Sequence, residues 1–306
     1  MRRGVEVKVP ASTANLGPGF DTIGMAFQLY TTVRMQVADK PQVNLHGEEL
    51  QGLPTDETNL VYQMAEMIFS KAQMEMPPLC IDMKSEIPLT RGLGSSAAAI
   101  IGGLAAANYI AGNPFTQEEL FLMATELEGH PDNVGASLFG GIVIAVIEED
   151  CVPYIKVTPQ ADLKALVVIP DFMLSTEKAR GVLPDTYSRK DAVHSLSHAS
   201  LLAAALATGQ YEMLAYAMKD RLHQPYRMSL VPGMETLLEK SQQYGALGTA
   251  LSGAGPTVIS LVQGDDHQLK KFFSDTLLEH GITSRTLTLT PDCMGVQISE
   301  DIDTPF

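Results

Sequence analysis

Between two segments of regular pattern the chain reads Pro88-Leu89-Thr90-Arg91-Gly92-Leu93-Gly94-Ser95-Ser96-Ala97-Ala98. An alternating run, Leu79 to Lys84, precedes this string, and an alanine-rich apolar segment, Ser96 to Ala111, follows it without proline or charge. The order predicts a strand, a glycine turn and a long buried helix. A helix that starts directly from such a turn offers unpaired backbone N–H groups and the positive end of its dipole to an anion. Gly92 and Gly94 permit positive φ and a close approach of phosphate to the main chain. Ser95 and Ser96 add hydroxyls that can cap the helix, bind phosphate or hold a metal ion. A nucleotide polyphosphate is the expected ligand.

The string also excludes two common alternatives. A P-loop needs G-x-x-x-x-G-K-[ST], and no lysine follows either glycine. The dinucleotide pattern G-x-G-x-x-G meets Ala97 where its third glycine belongs, which leaves only a formal nicotinamide reading of Gly92, Gly94 and Ala97. On its own the string fits an N-capped core helix equally well.

Charge narrows the partners. The 306 residues include 36 acidic and 21 basic side chains, a formal net charge of −15. Phosphate backbones and anionic membranes require clustered Lys and Arg, so neither nucleic acid nor a membrane is an expected partner. An anionic substrate would have to be received by a few placed arginines and helix ends. Cys80, Cys151 and Cys293 are odd in number and scattered, which predicts reduced thiols in a cytoplasmic protein. The start, Met1 to Val7, lacks the apolar stretch of a signal peptide.

Patterning predicts strands at Val5–Val9, Tyr30–Val37, Leu79–Lys84 and Ile142–Ile147 in the first half. Helices are expected over 59–72, with Asn59 as cap, from Ser96 to near Gly112, and from the capping box at Thr116 to Glu128. The character changes at Glu148 to Pro153, so domains are expected over 1–152 and 153–306. In the second half strands are expected at 166–169, 248–252, 257–262, 283–289 and 295–299. Helices are expected over 192–207, 211–219, 233–244 and 268–280. The elements interleave without a regular βα alternation, which predicts a mixed α+β protein.

Two further segments stand in order with the central string: Pro10 to Asp21, reading P-A-S-T-A-N-L-G-P-G-F-D, and Leu251 to Thr257, reading L-S-G-A-G-P-T. Together the three resemble the signature motifs of the galactokinase, homoserine kinase, mevalonate kinase and phosphomevalonate kinase (GHMP) superfamily. The opening motif is most similar to that of its homoserine-phosphorylating branch, as are the segments 126–134 and 175–180. The resemblance spans nearly the whole chain. It implies an N-terminal nucleotide-binding α/β domain, a ferredoxin-like C-terminal domain and a site between them, with ATP, Mg2+ and homoserine as ligands and a homodimeric assembly.

Carried over residue by residue, the resemblance makes Pro88 to Ala98, with Asn59, the nucleotide-binding set. It makes Ser96 and Glu126 the magnesium ligands, with Glu128 as the control position pointing elsewhere. Arg180 and Arg227 match carboxylate-binding arginines, whose planar fork suits two parallel hydrogen bonds. Asn15 and Asp21 supply acceptors for an ammonium and a hydroxyl, and Thr176, His130 and Asn133 line the same pocket. Asp132, in the Asp132-Asn133 pair, stands where related mevalonate kinases keep a base, although positioning alone could suffice. The third motif would bring its backbone to the phosphates. His194 and His198 have the spacing of two zinc ligands on a helix but lack a third, and read as ordinary helix histidines. A sister kinase with a mevalonate-like substrate and a nucleotide-binding regulator without activity are the competing functions.

Overall fold

A computed structural model describes residues 2–300. The first sheet has seven strands, ordered β11-β1-β2-β4-β3 with β5 on β2 and β6 on β5. Its members are β1 (Gly4–Asn15), β2 (Gly19–Val37), β3 (Gln42–His46), β4 (Leu79–Ser85), β5 (Ile142–Ala145), β6 (Tyr154–Val157) and β11 (Gln297–Ser299). Four helices belong with it: α1 (Leu60–Lys71), α2 (Ser95–Ala111), α3 (Gln117–Glu128) and α4 (Asp132–Phe139).

The alanine-rich composition of α2 has a packing cause. A Cβ on Gly102 would stand 2.9 Å from Val33 of β2, and one on Gly103 would stand 2.7 Å from Met64 of α1. The helix is wedged between sheet and neighbour, apolar around its circumference, and only small side chains allow so close an approach. Its N-terminus is thereby fixed at the end of the sheet where the first and third motifs lie.

The second sheet runs β10-β7-β9-β8, all antiparallel, from β7 (Leu163–Pro170), β8 (Gly248–Leu251), β9 (Val258–Gln263) and β10 (Ser284–Leu289). With it come α5 (Thr176–Arg180), α6 (Arg189–Thr208), α7 (Leu214–Ala217), α8 (Gln224–Arg227), α9 (Met234–Lys240) and α10 (His267–Glu279). The sheets do not divide at residue 152. β6 pairs with β5, and β11 crosses back to pair with β1, so two of the strands that end the first sheet come from beyond the expected boundary, while β3 ends it on the far side.

The first motif also departs from expectation. Pattern ended the first strand at Val9, whereas β1 continues to Asn15 through a bulge at Pro10/Ala11. Residues 9–16 are all buried, so no alternation marks them as strand. Residues 211–219 and 233–244, expected as single helices, break into 3-10 turns beside the short α7 and α9. No helix among the described residues is long and apolar enough to cross a membrane.

Candidate active site

Seven short pieces of chain converge on one cleft between the sheets. It is lined by Asn15, Phe20 and Asp21 from the facing ends of β1 and β2, Thr90, Gly92, Gly94, Ser95 and Ser96 from the glycine turn, and Glu128 from the end of α3. His130, Asp132 and Asn133 come from the start of α4, Leu174, Thr176 and Arg180 from the α5 region, Arg227 from α8, and Gly253 to Gly255 from the third motif.

The glycine turn is held by protein before any ligand is considered. Gly92 and Gly94 have φ of 79° and 71°, as expected. A Cβ on Gly92 would fall 2.3 Å from the Ser252 carbonyl oxygen, and one on Gly94 would fall 2.1 Å from Ser12 Oγ. The Ser252 hydroxyl donates to the Gly92 carbonyl at 2.5 Å and lies 2.8 Å from Thr13 Oγ1, while the Gly253 N–H donates to the Ala14 carbonyl. The three motifs are thus one hydrogen-bonded cluster. Ser12, Thr13 and Ser252 escaped the sequence reading because a buried hydroxyl inside a strand leaves no periodic signal.

Within the nucleotide set, only Thr90, Gly92, Gly94, Ser95 and Ser96 face the cleft. Leu93, Ala97 and Ala98 are buried in the core behind the turn. Pro88, Leu89 and Arg91 line a separate groove with Glu48, Asp171 and Arg285. Asn59 caps α1: its Oδ1 accepts the Val61 N–H at 2.9 Å and its Nδ2 donates to the Pro54 carbonyl at 2.8 Å, and it does not line the cleft.

The acid beside Ser96 is Glu128, not Glu126. Ser96 Oγ donates to Glu128 Oε2 at 3.2 Å, whereas Glu126 is exposed and absent from the cleft lining. Residues two apart on a helix lie about 200° apart around its axis, so only one of the pair can face inward. A signal for this was available: Leu120, Phe121 and Ala124 are buried, and Glu128 continues their stripe at the next i+4 step. Burial, foremost, raises the Glu128 carboxyl pKa, with His130 and the Ser96 hydrogen bond opposing.

The polar residues next to the glycine turn form two small networks. Asp132 Oδ1 accepts the Asn133 N–H at 2.7 Å and faces His130 Nδ1 at 2.6 Å, while its buried Oδ2 has no hydrogen-bond partner among the described residues. Asn133 Oδ1 accepts from Ser12 Oγ at 3.1 Å. Burial alone would lower the His130 pKa, but the hydrogen bond and charge of Asp132, with Asp21 and Glu128 nearby, raise it overall. Asp132, His130 and Asp21 bring one ligand atom each within 4.8 Å of one another.

Opposite this acid cluster stand the two arginines. Arg180 binds Asp21 through both arms of its fork, at 2.7 and 3.1 Å. Arg227 is 1% exposed; its Nε donates to the Ala179 carbonyl at 3.0 Å and its Nη1 to the Gly253 carbonyl at 3.2 Å. Burial, then the like charge of Arg180, lowers its pKa to about 10, which leaves it protonated at neutral pH. Asn15, expected as a substrate acceptor, is committed to the turn: Oδ1 accepts the Asp21 N–H and Nδ2 donates to the Gly253 carbonyl, each at 3.0 Å.

A glycine turn that opens a helix and faces charges of both signs, at the seam of two sheets, suits the needs of a small-molecule kinase. The GHMP kinases N terminal domain matches residues 59–141 and the GHMP kinases C terminal domain matches residues 202–277. Homoserine kinase of Deinococcus radiodurans is 45% identical over 294 residues, covering 95% of this chain and 96% of that one. That of Desulfitobacterium hafniense is 45% identical over 295 residues, covering 96% and 99%. The crystal structure of homoserine kinase from Cytophaga hutchinsonii superposes with a TM-score of 0.86 at 28% identity and covers 98% of each chain. The chain is a kinase of two-domain α+β GHMP fold, and it belongs to the homoserine kinase family.

Proposed function

We propose that the protein transfers the γ-phosphoryl group of ATP to the side-chain hydroxyl of L-homoserine, giving ADP and O-phospho-L-homoserine, a step of threonine biosynthesis. Beyond family membership, one observation carries the substrate assignment. The Asp21–Arg180 ion pair lies beside Arg227 within the cleft that holds the glycine turn. A zwitterion placed there meets a cation for its carboxylate and an anion for its ammonium, and it replaces the internal pairing it displaces. Mevalonate has no ammonium to offer Asp21.

The backbone N–H groups of the glycine turn and the start of α2 receive the phosphates, and the helix dipole favours their charge. Arg180 and Arg227 orient the carboxylate, which aims the hydroxyl at the γ-phosphorus. The free Asp132 Oδ2 is positioned to accept the hydroxyl proton, with His130 and the Asn133 N–H fixing the other oxygen. The side-chain Nδ2 of Asn133 remains for the substrate. Mg2+ fits this donor set: Ser96 and Glu128 offer a hydroxyl and a carboxylate, hard oxygens on one side of the turn. A bound ion would neutralise phosphate charge. A cytoplasmic location and a homodimeric state are part of the same proposal and rest on the family resemblance.

An ADP-release assay with homoserine, serine, mevalonate and 3-aminopropan-1-ol tests the assignment. Homoserine should give the highest kcat/KM. Preference for mevalonate, or no turnover of any alcohol, would reject it.

A further inference from the structure

His223 neither lines the cleft nor belongs to a signature motif, yet it is fully buried against both sides of the site. It immediately precedes α8, and its ring stacks on Phe20 with centroids 4.9 Å apart and planes 18° from parallel. Its Nε2 lies 2.8 Å from the Gly17 carbonyl oxygen, in the first motif, and its Nδ1 lies 3.1 Å from Arg227 Nη1. A guanidinium can only donate and a carbonyl can only accept, so the partners dictate the tautomer: Nε2 carries the proton and Nδ1 presents its lone pair. The ring must be neutral to serve both. Burial, foremost, together with the Arg227 charge, keeps it so against the opposing pull of Asp220.

The backbone around the ring is held just as firmly. The buried Asp220 carboxylate accepts the N–H groups of Leu222, His223 and Gln224, each at 2.8 Å, and the Ser195 hydroxyl at 3.2 Å. Gln224 Oε1 accepts the Leu251 N–H at 2.8 Å, which ties α8 to the strand leading into the third motif. Arg227 then spends Nε and Nη1 on Ala179, Gly253 and His223, and its Nη2 has no hydrogen-bond partner among the described residues. The face of Phe20 stands 5.4 Å from the Arg227 guanidinium carbon and 5.7 Å from that of Arg180.

We infer that His223 is a positioning residue: it locks the Arg227 fork and the Gly17–Asp21 turn into one arrangement, so that the free Nη2 arm meets the carboxylate of the substrate. The inference rests on the reading that Arg227 receives that carboxylate. It assigns His223 a share in recognising one end of the substrate, through Arg227, with no contact to ATP or to the reacting hydroxyl.

The test compares His223→Phe, His223→Gln and Arg227→Leu with two substrates, homoserine and 3-aminopropan-1-ol, which lacks the carboxylate. Phenylalanine keeps the stack on Phe20 and loses both hydrogen bonds; glutamine keeps a donor and an acceptor. In His223→Phe the KM for homoserine should rise about tenfold, the scale of one lost charge-assisted hydrogen bond. Its KM for ATP and its kcat/KM for 3-aminopropan-1-ol should each move less than about twofold, and His223→Gln should recover part of the loss. Equal losses with both substrates would overturn the inference, because a merely structural role has no reason to follow the carboxylate. If Arg227→Leu also leaves the homoserine KM unchanged, the failure lies in the carboxylate reading itself; if that variant loses affinity while His223→Phe does not, it lies in the role of His223. Should the substitutions unfold the chain, 15N-histidine NMR of the wild-type protein decides. The His223 ring should show an acceptor Nδ1 and a protonated Nε2, and should shift with homoserine but not with 3-aminopropan-1-ol. A doubly protonated ring, or one indifferent to homoserine, would overturn the inference.

Discussion

Replacing Gly94 by alanine adds a single methyl group, and the structure says where it goes. The backbone there has φ 71°, and the new Cβ would sit 2.1 Å from Ser12 Oγ, with the Ser12 carbonyl oxygen at 3.0 Å and amide nitrogen at 3.1 Å. Two costs add. Holding an L-residue in the left-handed region costs roughly 1–2 kcal/mol, and overpacking a tight contact costs roughly 1–3 kcal/mol. The sum is about 2–5 kcal/mol, which for a chain of this size lowers Tm by about 5–15 °C. Gly129 separates the two terms, because its φ is 81° but nothing lies within 4 Å of its Cβ. Gly129→Ala should therefore cost only the backbone term, about 1–2 kcal/mol. Thermal unfolding of both variants, and of Gly94→Ala combined with Ser12→Ala, provides the assay. The double variant removes the worst contact and should regain part of the loss, leaving the backbone term. If Gly94→Ala and Gly129→Ala are equally mild, the packing of the glycine turn on Ser12 is not as described. If Gly94→Ala instead retains full stability and loses only ATP affinity, the glycine serves the approach of phosphate rather than the approach of β1.

Glu128→Gln should lower kcat at least about tenfold with nucleotide binding retained, on the scale of a disturbed metal site, while Glu126→Gln should stay within about twofold; steady-state kinetics against Mg2+ concentration reads both. Arg227→Leu should raise the homoserine KM about ten- to a hundredfold, the equivalent of ~1.5–3 kcal/mol for a hydrogen bond to a charged group, with the ATP KM nearly constant. A raised His130 pKa means that its protonated form stabilises the fold at pH below the ordinary imidazole value of 6.5 and that this contribution fades as pH rises through the folded-state value. Tm measured across that window should therefore fall with rising pH more in wild type than in His130→Gln, and parallel curves would contradict the Asp132–His130 pairing.

Pieces of the protein whose signal is local are legible from residue order alone. The glycine turn before α2, the capping box at Thr116, the Asn59 cap and most helices and strands follow from periodicity and capping chemistry within a few residues. The ordered motifs carried the family, and with it the expectation that residues as distant as Asp21 and Arg227 share a site. Tertiary structure decided what depends on the orientation of one element against another. Which of Glu126 and Glu128 faces Ser96 is set by how the buried face of α3 seats on its neighbours. Asn15 and Asn59 present amides that suit a ligand, yet each is consumed by backbone groups brought to it by the fold. The return of β11 to β1 and the locking of Arg227 by His223 link positions far apart in the chain. Such pairings leave no periodic trace because they are fixed by packing across the two sheets, where a buried donor and acceptor must find each other or lose their solvation unpaid.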